Sequence, residues 1–168
     1  MAIGSTIYKV QLSIANMDTN YYETHDLTLA QHPSETDERL MMRLVAFALN
    51  ASERLLMTKG VGQEDDPHLW EKNYGGEIVL WIDLGNVDEK RLRKACGRSE
   101  KVVVYTYNHN TASSWWGQSK KICERFKNLS VIHLYSEGFE KLCDRSMRLQ
   151  CNITDSELTI HSEKGDVA

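Results

Sequence analysis

From Thr6 to Ala15 the chain alternates between apolar and polar residues, with Ile7, Val10, Leu12 and Ile14 among polar neighbours, which is the period of a half-buried strand. Tyr21 to Leu29 reads as its returning partner, so the pattern predicts a long N-terminal hairpin over residues 5–30. The period then changes to that of a helix. Ser34, with Asp37 three residues on, reads as the cap of a helix reaching Leu49, with Leu40, Met41, Leu44, Val45 and Ala48 on its apolar stripe. Glu35, Arg39 and Arg43 fall on the other side, a spacing that ordinary ion pairs on a solvated face also show.

Arg54 to Thr58 reads as a strand, and a helical turn is expected around His68-Leu69-Trp70. Tyr74-Gly75-Gly76 turns the chain into an apolar strand, Glu77 to Leu84. Three β/α steps follow. Asn86 is expected to cap a helix that Gly97 closes, Val102 to Tyr105 is a buried strand, Ser114 to Lys127 a helix, and Leu129 to Tyr135 a further strand. Strands separated by single helices imply parallel crossovers. A short helix near Phe139 to Cys143 precedes a second hairpin over 146–161, with Met147, Leu149, Cys151 and Ile153 alternating. The polar tail from Ser162 onward is expected to fray.

A length of 168 residues with 41% hydrophobic composition suits one α/β domain whose two hairpins are additions to a mixed-sheet core flanked by helices. A net charge of -4 gives no global footprint for nucleic acid, so any phosphate binding has to be local. The N-terminus has neither a charged n-region nor a long apolar run, and no segment approaches the ~20 apolar residues that span a bilayer. A soluble cytoplasmic protein is the expectation. The four cysteines are scattered without a Cys-x-x-Cys pair, and the six histidines lack the i,i+4 spacing of a zinc hydrolase, so buried free thiols are expected instead of a zinc site.

The strongest chemical signal is Asp83. In Ile78-Val79-Leu80-Trp81-Ile82 both faces are apolar, so an acid near the end of that strand must be paired, bound to a cation or set at an opening. Asp83 shares a face with Trp81, and position 85 on the same face is glycine. A magnesium ion held by one or two carboxylates would activate water against a phosphodiester, with a nearby cation stabilising the developing charge. Glu35, Asp65 or Asp66, and Asp83 are the candidate acids; Lys94 or Arg91 is the candidate cation. Each has a plain alternative: an N-cap for Asp65 or Asp66, an ion pair with Arg91 for Asp83, and a solvated face for the stretch from Lys90 to Lys94. His68 beside Asp66 and the pair Trp115-Trp116, which has the faces to stack a base, are weaker candidates, as are His109 and Asn110 just past a strand end.

His32-Pro33-Ser34-Glu35-Thr36 with Arg39 and Arg43, Asp65-Asp66-Pro67 with Trp70, Trp81-Ile82-Asp83-Leu84-Gly85, Arg91 with Lys94-Ala95, and Tyr105 to Tyr107 with Trp115-Trp116 follow one another in an order that resembles the YaeQ family of bacterial proteins. That family is similar in fold to the PD-(D/E)XK nucleases, which implies a restriction-endonuclease-like core. The resemblance implies Glu35 as the helix acid, Asp65 or Asp66 as the hairpin acid, and Asp83 as the strand acid, with Asp65, Asp66 and Asp83 around Mg2+ or Mn2+. Arg39, Arg43 and Arg91 would contact nucleic acid in a local groove. Gly85 stands where the superfamily has its lysine, so the resemblance needs a basic residue from the next helix, Lys94 first and Arg91 second. Without one, the fold would serve a non-catalytic binding or regulatory module.

Overall fold

In the computed structural model, residues 4–58, 66–135 and 137–167 are described, and the chain divides into two compact units. The first half of the chain forms β1 (Thr6–Asn16), β2 (Tyr21–Gln31), α1 (Asp37–Asn50), β3 (Leu55–Met57), β4 (Leu69–Lys72) and β5 (Ile78–Leu84). There follow α2 (Glu89–Arg98), β6 (Ser99–Thr106), α3 (His109–Cys123) and β7 (Leu129–His133), then a 3-10 turn over Phe139–Leu142, β8 (Ser146–Thr154), β9 (Glu157–Ser162) and β10 (Gly165–Val167). The described residues thus form a mixed α/β structure with two five-stranded sheets, ordered β10-β9-β8-β1-β2 and β3-β4-β5-β6-β7. Among them no helix is long and apolar enough to cross a membrane.

The first unit takes in residues 4–51 and 137–167. Its two hairpins join into one sheet because β1 pairs with β8 in parallel, setting Val10, Leu12 and Ile14 opposite Met147, Leu149 and Cys151. All six are buried, so two separately amphipathic ribbons share one apolar face. Ile7, expected on that face, is out of phase with Val10 and is exposed, and Tyr8 takes the buried position. The tail does not fray as expected: β10 adds to β9 and satisfies backbone groups that would otherwise face solvent.

Helix α1 begins at Asp37 with Thr36 as its cap, accepting from the Arg39 amide. Ser34 does not cap it, since its hydroxyl is bonded to His32 Nδ1. Every residue from Leu40 to Ala48 is buried, Arg43 included, so the polar side expected of this helix is absent over its central turns.

The second unit holds residues 52–58 and 66–135. β3, β4 and β5 are antiparallel, whereas β5, β6 and β7 run parallel through α2 and α3. β5 is the central strand, with Trp81 and Ile82 on opposite faces and both buried, as its unbroken apolar run predicts. Trp81, Val102 and Val104 pack with Leu92 and Ala95 of α2 and Cys123 of α3. Asp83 pairs in register with Val104 and therefore lies on the face that α2 and α3 cover.

Three sequence expectations are corrected here. His68-Leu69-Trp70 is no helical turn: the His68 amide donates to the Ile82 carbonyl and the Thr58 amide to the His68 carbonyl, so cross-strand partners override the local preference. With no helix after Pro67, Asp66 caps nothing there. α2 is capped by Asp88, not Asn86, and runs through Gly97 to Arg98; α3 begins at His109, capped by Asn108, five residues before the expected start. In each case a side chain with an accepting oxygen aimed at an amide three residues on sets the start.

β5 stops at Gly85, whose φ of +92° leaves the strand region while its amide donates to the Tyr105 carbonyl at 2.8 Å. Only glycine adopts such a φ without steric cost. Gly85→Lys should therefore lower stability by about 1–2 kcal/mol in urea unfolding, and an unchanged midpoint would contradict the backbone reading.

Candidate functional site

The candidate residues fall into two clusters, one in each unit. In the second unit, β5 delivers the Asp83 carboxylate with only 1% of its side chain exposed. Its Oδ2 accepts from Arg91 Nε at 2.7 Å and Trp81 Nε1 at 3.0 Å. Its Oδ1 accepts from Arg91 Nη2 at 3.0 Å and faces His68 Nδ1 at 3.1 Å. That nitrogen also lies 3.2 Å from the Leu84 amide, but one nitrogen serves either as donor or as acceptor. The negative charge favours a proton on Nδ1 that is donated to Asp83. Four donors then fill the roughly four lone-pair sites a carboxylate offers.

Each donor is placed by its element. Trp81 is two residues back on the same face of β5, and His68 enters at the start of β4, which pairs with β5 through Leu69 and Ile82. Arg91 stands in the first turn of α2, where the Asp88 cap orients the helix above the strand end. Its Nη2 also donates to the Asp66 carbonyl at 2.7 Å, so one guanidinium joins α2, β5 and the segment before β4. Burial pushes the Asp83 carboxyl upward, but the hydrogen bonds and charges of His68 and Arg91 outweigh it and hold the group well below the usual carboxylate range.

In the first unit, Glu35 is buried ahead of α1 and its Oε1 accepts from Arg43 Nη2 at 2.8 Å. Arg43, itself 1% exposed, donates from Nη2 to the Ala30 carbonyl as well. Arg39 Nε stands 3.7 Å from Glu35 Oε2, which is buried and accepts no hydrogen bond among the described residues. Burial raises the Glu35 carboxyl more than Arg43 and Arg39 lower it. The triplet is thus a buried ion pair with one further arginine, not the solvated row its spacing also allows.

Asp65 lies outside the described residues. Asp66 is half-buried and contributes its backbone carbonyl to Arg91, while Lys94 is exposed on the same helix that carries Arg91. Of the two cations named from sequence, Arg91 makes the contact with Asp83. Among the described residues no three His, Cys, Asp or Glu side chains group as metal ligands. Trp81 and His68 as partners of the acid were the residues sequence reasoning missed. The two-residue period made Trp81 findable; His68 required knowing that β4 is a strand.

The parallel strands β6 and β7 end beside a cleft of about 350 Å³, lined by Thr106 of β6, His109, Ala112, Ser113, Trp115 and Trp116 of α3, Val131 and His133 of β7, and Tyr135. Trp115-Trp116 and His109 thus come together, though they were named separately.

The YaeQ protein family profile matches residues 1–168. This chain belongs to the YaeQ family. It is 42% identical to "Uncharacterized protein YaeQ" of Escherichia coli K12, across 99% of this chain and 94% of that protein, and 41% identical to the Salmonella typhi protein of the same description. The YaeQ crystal structure from Xanthomonas axonopodis pv. citri matches with a TM-score of 0.91 and 43% identity, covering 97% of this chain and 94% of that one. The YaeQ structure from Pseudomonas syringae matches with a TM-score of 0.89 at 29% identity, over 97% and 93% of the two chains. These relatives carry no stated activity, so family membership leaves the chemistry to the geometry.

Asp83→Asn removes the charge that Arg91 answers and should cost about 3–5 kcal/mol, as breaking a buried pair does. Because the folded-state pKa lies below the unfolded value of about 3.9, the contribution of Asp83 is complete above that value and fades as pH falls below it. Urea midpoints measured from pH 7 down to pH 3 should drop less steeply in Asp83→Asn than in the parent chain; parallel curves would contradict the assigned shift.

Proposed function

We propose that this YaeQ chain is a non-catalytic binding or regulatory module built on a restriction-endonuclease-like fold. One observation carries the reading: the Asp83 carboxylate is filled by four hydrogen-bond donors, with the Arg91 guanidinium on both of its oxygens. A cation ligand has to offer a lone pair, and Asp83 as arranged has none left. The Asp66 carbonyl, a second oxygen of the kind hard cations take, is also held by Arg91. Mg2+ or Mn2+ therefore does not fit beside Asp83 while Arg91 is in place. Gly85 adds to this, since its left-handed backbone excludes a lysine without strain.

A second reading is a metal-dependent nuclease-like protein acting on nucleic-acid phosphodiesters, with Glu35, Asp65 or Asp66, and Asp83 as its acids and Lys94 as its cation. What favours it is the buried Glu35 Oε2, an orphaned acceptor that a cation would satisfy. Arg39, whose side chain is partly exposed, then serves as a groove cation for the strand, whereas Arg43 is buried against Glu35.

The two readings part in a cleavage assay on DNA and RNA panels with Mg2+ and Mn2+. The module reading expects no metal-dependent turnover, and cleavage by the parent chain that Asp83→Asn abolishes would overturn it. The clamp has its own test. Arg91→Ala should lower stability by roughly 3–5 kcal/mol by leaving the acid uncompensated. Added Mn2+ should raise the melting temperature of Arg91→Ala but not that of the parent, because only the variant exposes the carboxylate to a cation.

A further inference from the structure

The cleft at the ends of β6 and β7 plays no part in either reading of Asp83. Its nine lining residues include two tryptophans, two histidines and a tyrosine, and none bears a permanent charge. Its volume of about 350 Å³ is at the lower end of the range for small-molecule sites. Its place is also informative, because open sheets with parallel strands put ligands beyond the carboxyl ends of those strands.

Two large aromatic side chains exposed to solvent, Trp116 at 38% and Tyr135 at 85%, line this cleft. Exposing an indole and a phenol ring at one opening is unfavourable unless a partner covers them. Aromatic contacts continue inward: Trp115 lies 6.2 Å from Trp116, and His133 packs edge-on against Tyr135 at 4.9 Å and against His109 at 5.9 Å. Trp115 is anchored through its Nε1, which donates to the Val87 carbonyl at 2.7 Å, so that wall is rigid.

The polar atoms narrow the chemistry. Thr106 Oγ1 holds His133 Nδ1 at 2.8 Å, which fixes the ring and leaves Nε2 as the nitrogen able to address a ligand. Burial and then the nearby His109 lower the His133 pKa, so the His133 ring favours the uncharged form near neutrality. A hydrocarbon ring would leave these nitrogens and the Ser113 hydroxyl against an apolar edge, whereas a ring with its own donors and acceptors would meet them. An anion finds no lysine or arginine in the lining.

We infer that this cleft is a binding site for an uncharged nitrogen heterocycle of nucleobase size, stacked on Trp116 with its polar edge toward His133. The ring can come from a free nucleoside or from an unpaired base of a single strand. It is independent of the Asp83 reading: metal-dependent cleavage would overturn that reading and leave this one standing.

The test is titration of the full chain with adenosine, guanosine, cytidine and uridine, and in a parallel arm with short single-stranded DNA and RNA. Tryptophan quenching and the imidazole resonances of His109 and His133 are followed. Saturable binding is expected in at least one arm, with both histidines shifting; nucleoside binding identifies the free source, and binding by strands alone identifies the strand. Trp116→Ala should weaken it roughly 5- to 100-fold, the range for one base-aromatic stack, and Trp116→Phe should recover most of the loss. Trp116 is a rim residue, so an unchanged melting temperature will show that the variants fold. No saturable binding of any probe at millimolar concentration, or equal binding by Trp116→Ala, would overturn the inference.

Discussion

The second unit depends on how one buried charge is answered. Asp83 sits in the central strand of its sheet with almost no exposure, where an unpaired carboxylate would cost several kcal/mol. Arg91 supplies two donors from α2, while Trp81 and His68 supply the others from β5 and the start of β4. Because the same guanidinium holds the Asp66 carbonyl, the clamp also fixes the segment entering β4. Removing any one donor leaves a charge or a loop end unmatched. Asp83 thereby ties together β5, α2 and the start of β4.

Glu35 presents the opposite case within the first unit. It too is buried, yet only one of its oxygens is well bonded, and burial outweighs the pull of its arginines. Two carboxylates at similar depth therefore differ in electrostatic state: one is ionised and saturated, the other is pushed toward its neutral form and keeps an open acceptor. Depth alone would not have separated them; the number and direction of donors does.

Local period made much of the fold legible. The alternation through β1 and β8 and the doubly apolar run of β5 appear where the pattern places them, and the β/α succession after β5 appears in the expected order with shifted helix ends, because each is dictated by neighbours two to four residues apart. What failed was short or competed for. β4 has four residues and resembles a helical turn until β3 and β5 supply its hydrogen bonds, and the caps moved from Ser34 and Asn86 to Thr36 and Asp88, whose oxygens face the right amides. Asp83 stood out as an anomaly from sequence because an acid in such a strand requires a partner. Its identity as a clamp did not, since His68 and Arg91 lie on different elements.

By itself the sequence determined the longer strands and helices of a mixed α/β chain, that Asp83 must be compensated, and that the residues follow a YaeQ order. Only the tertiary structure decided that β1 joins β8, that Arg91 is the cation on Asp83, and that Trp116, His133 and Tyr135 share one cleft. The physical reason is range. Periodicity and capping are set by covalent neighbours, whereas a charge, a hydrogen bond or a ring stack is settled by whichever groups from distant segments arrive with matching geometry.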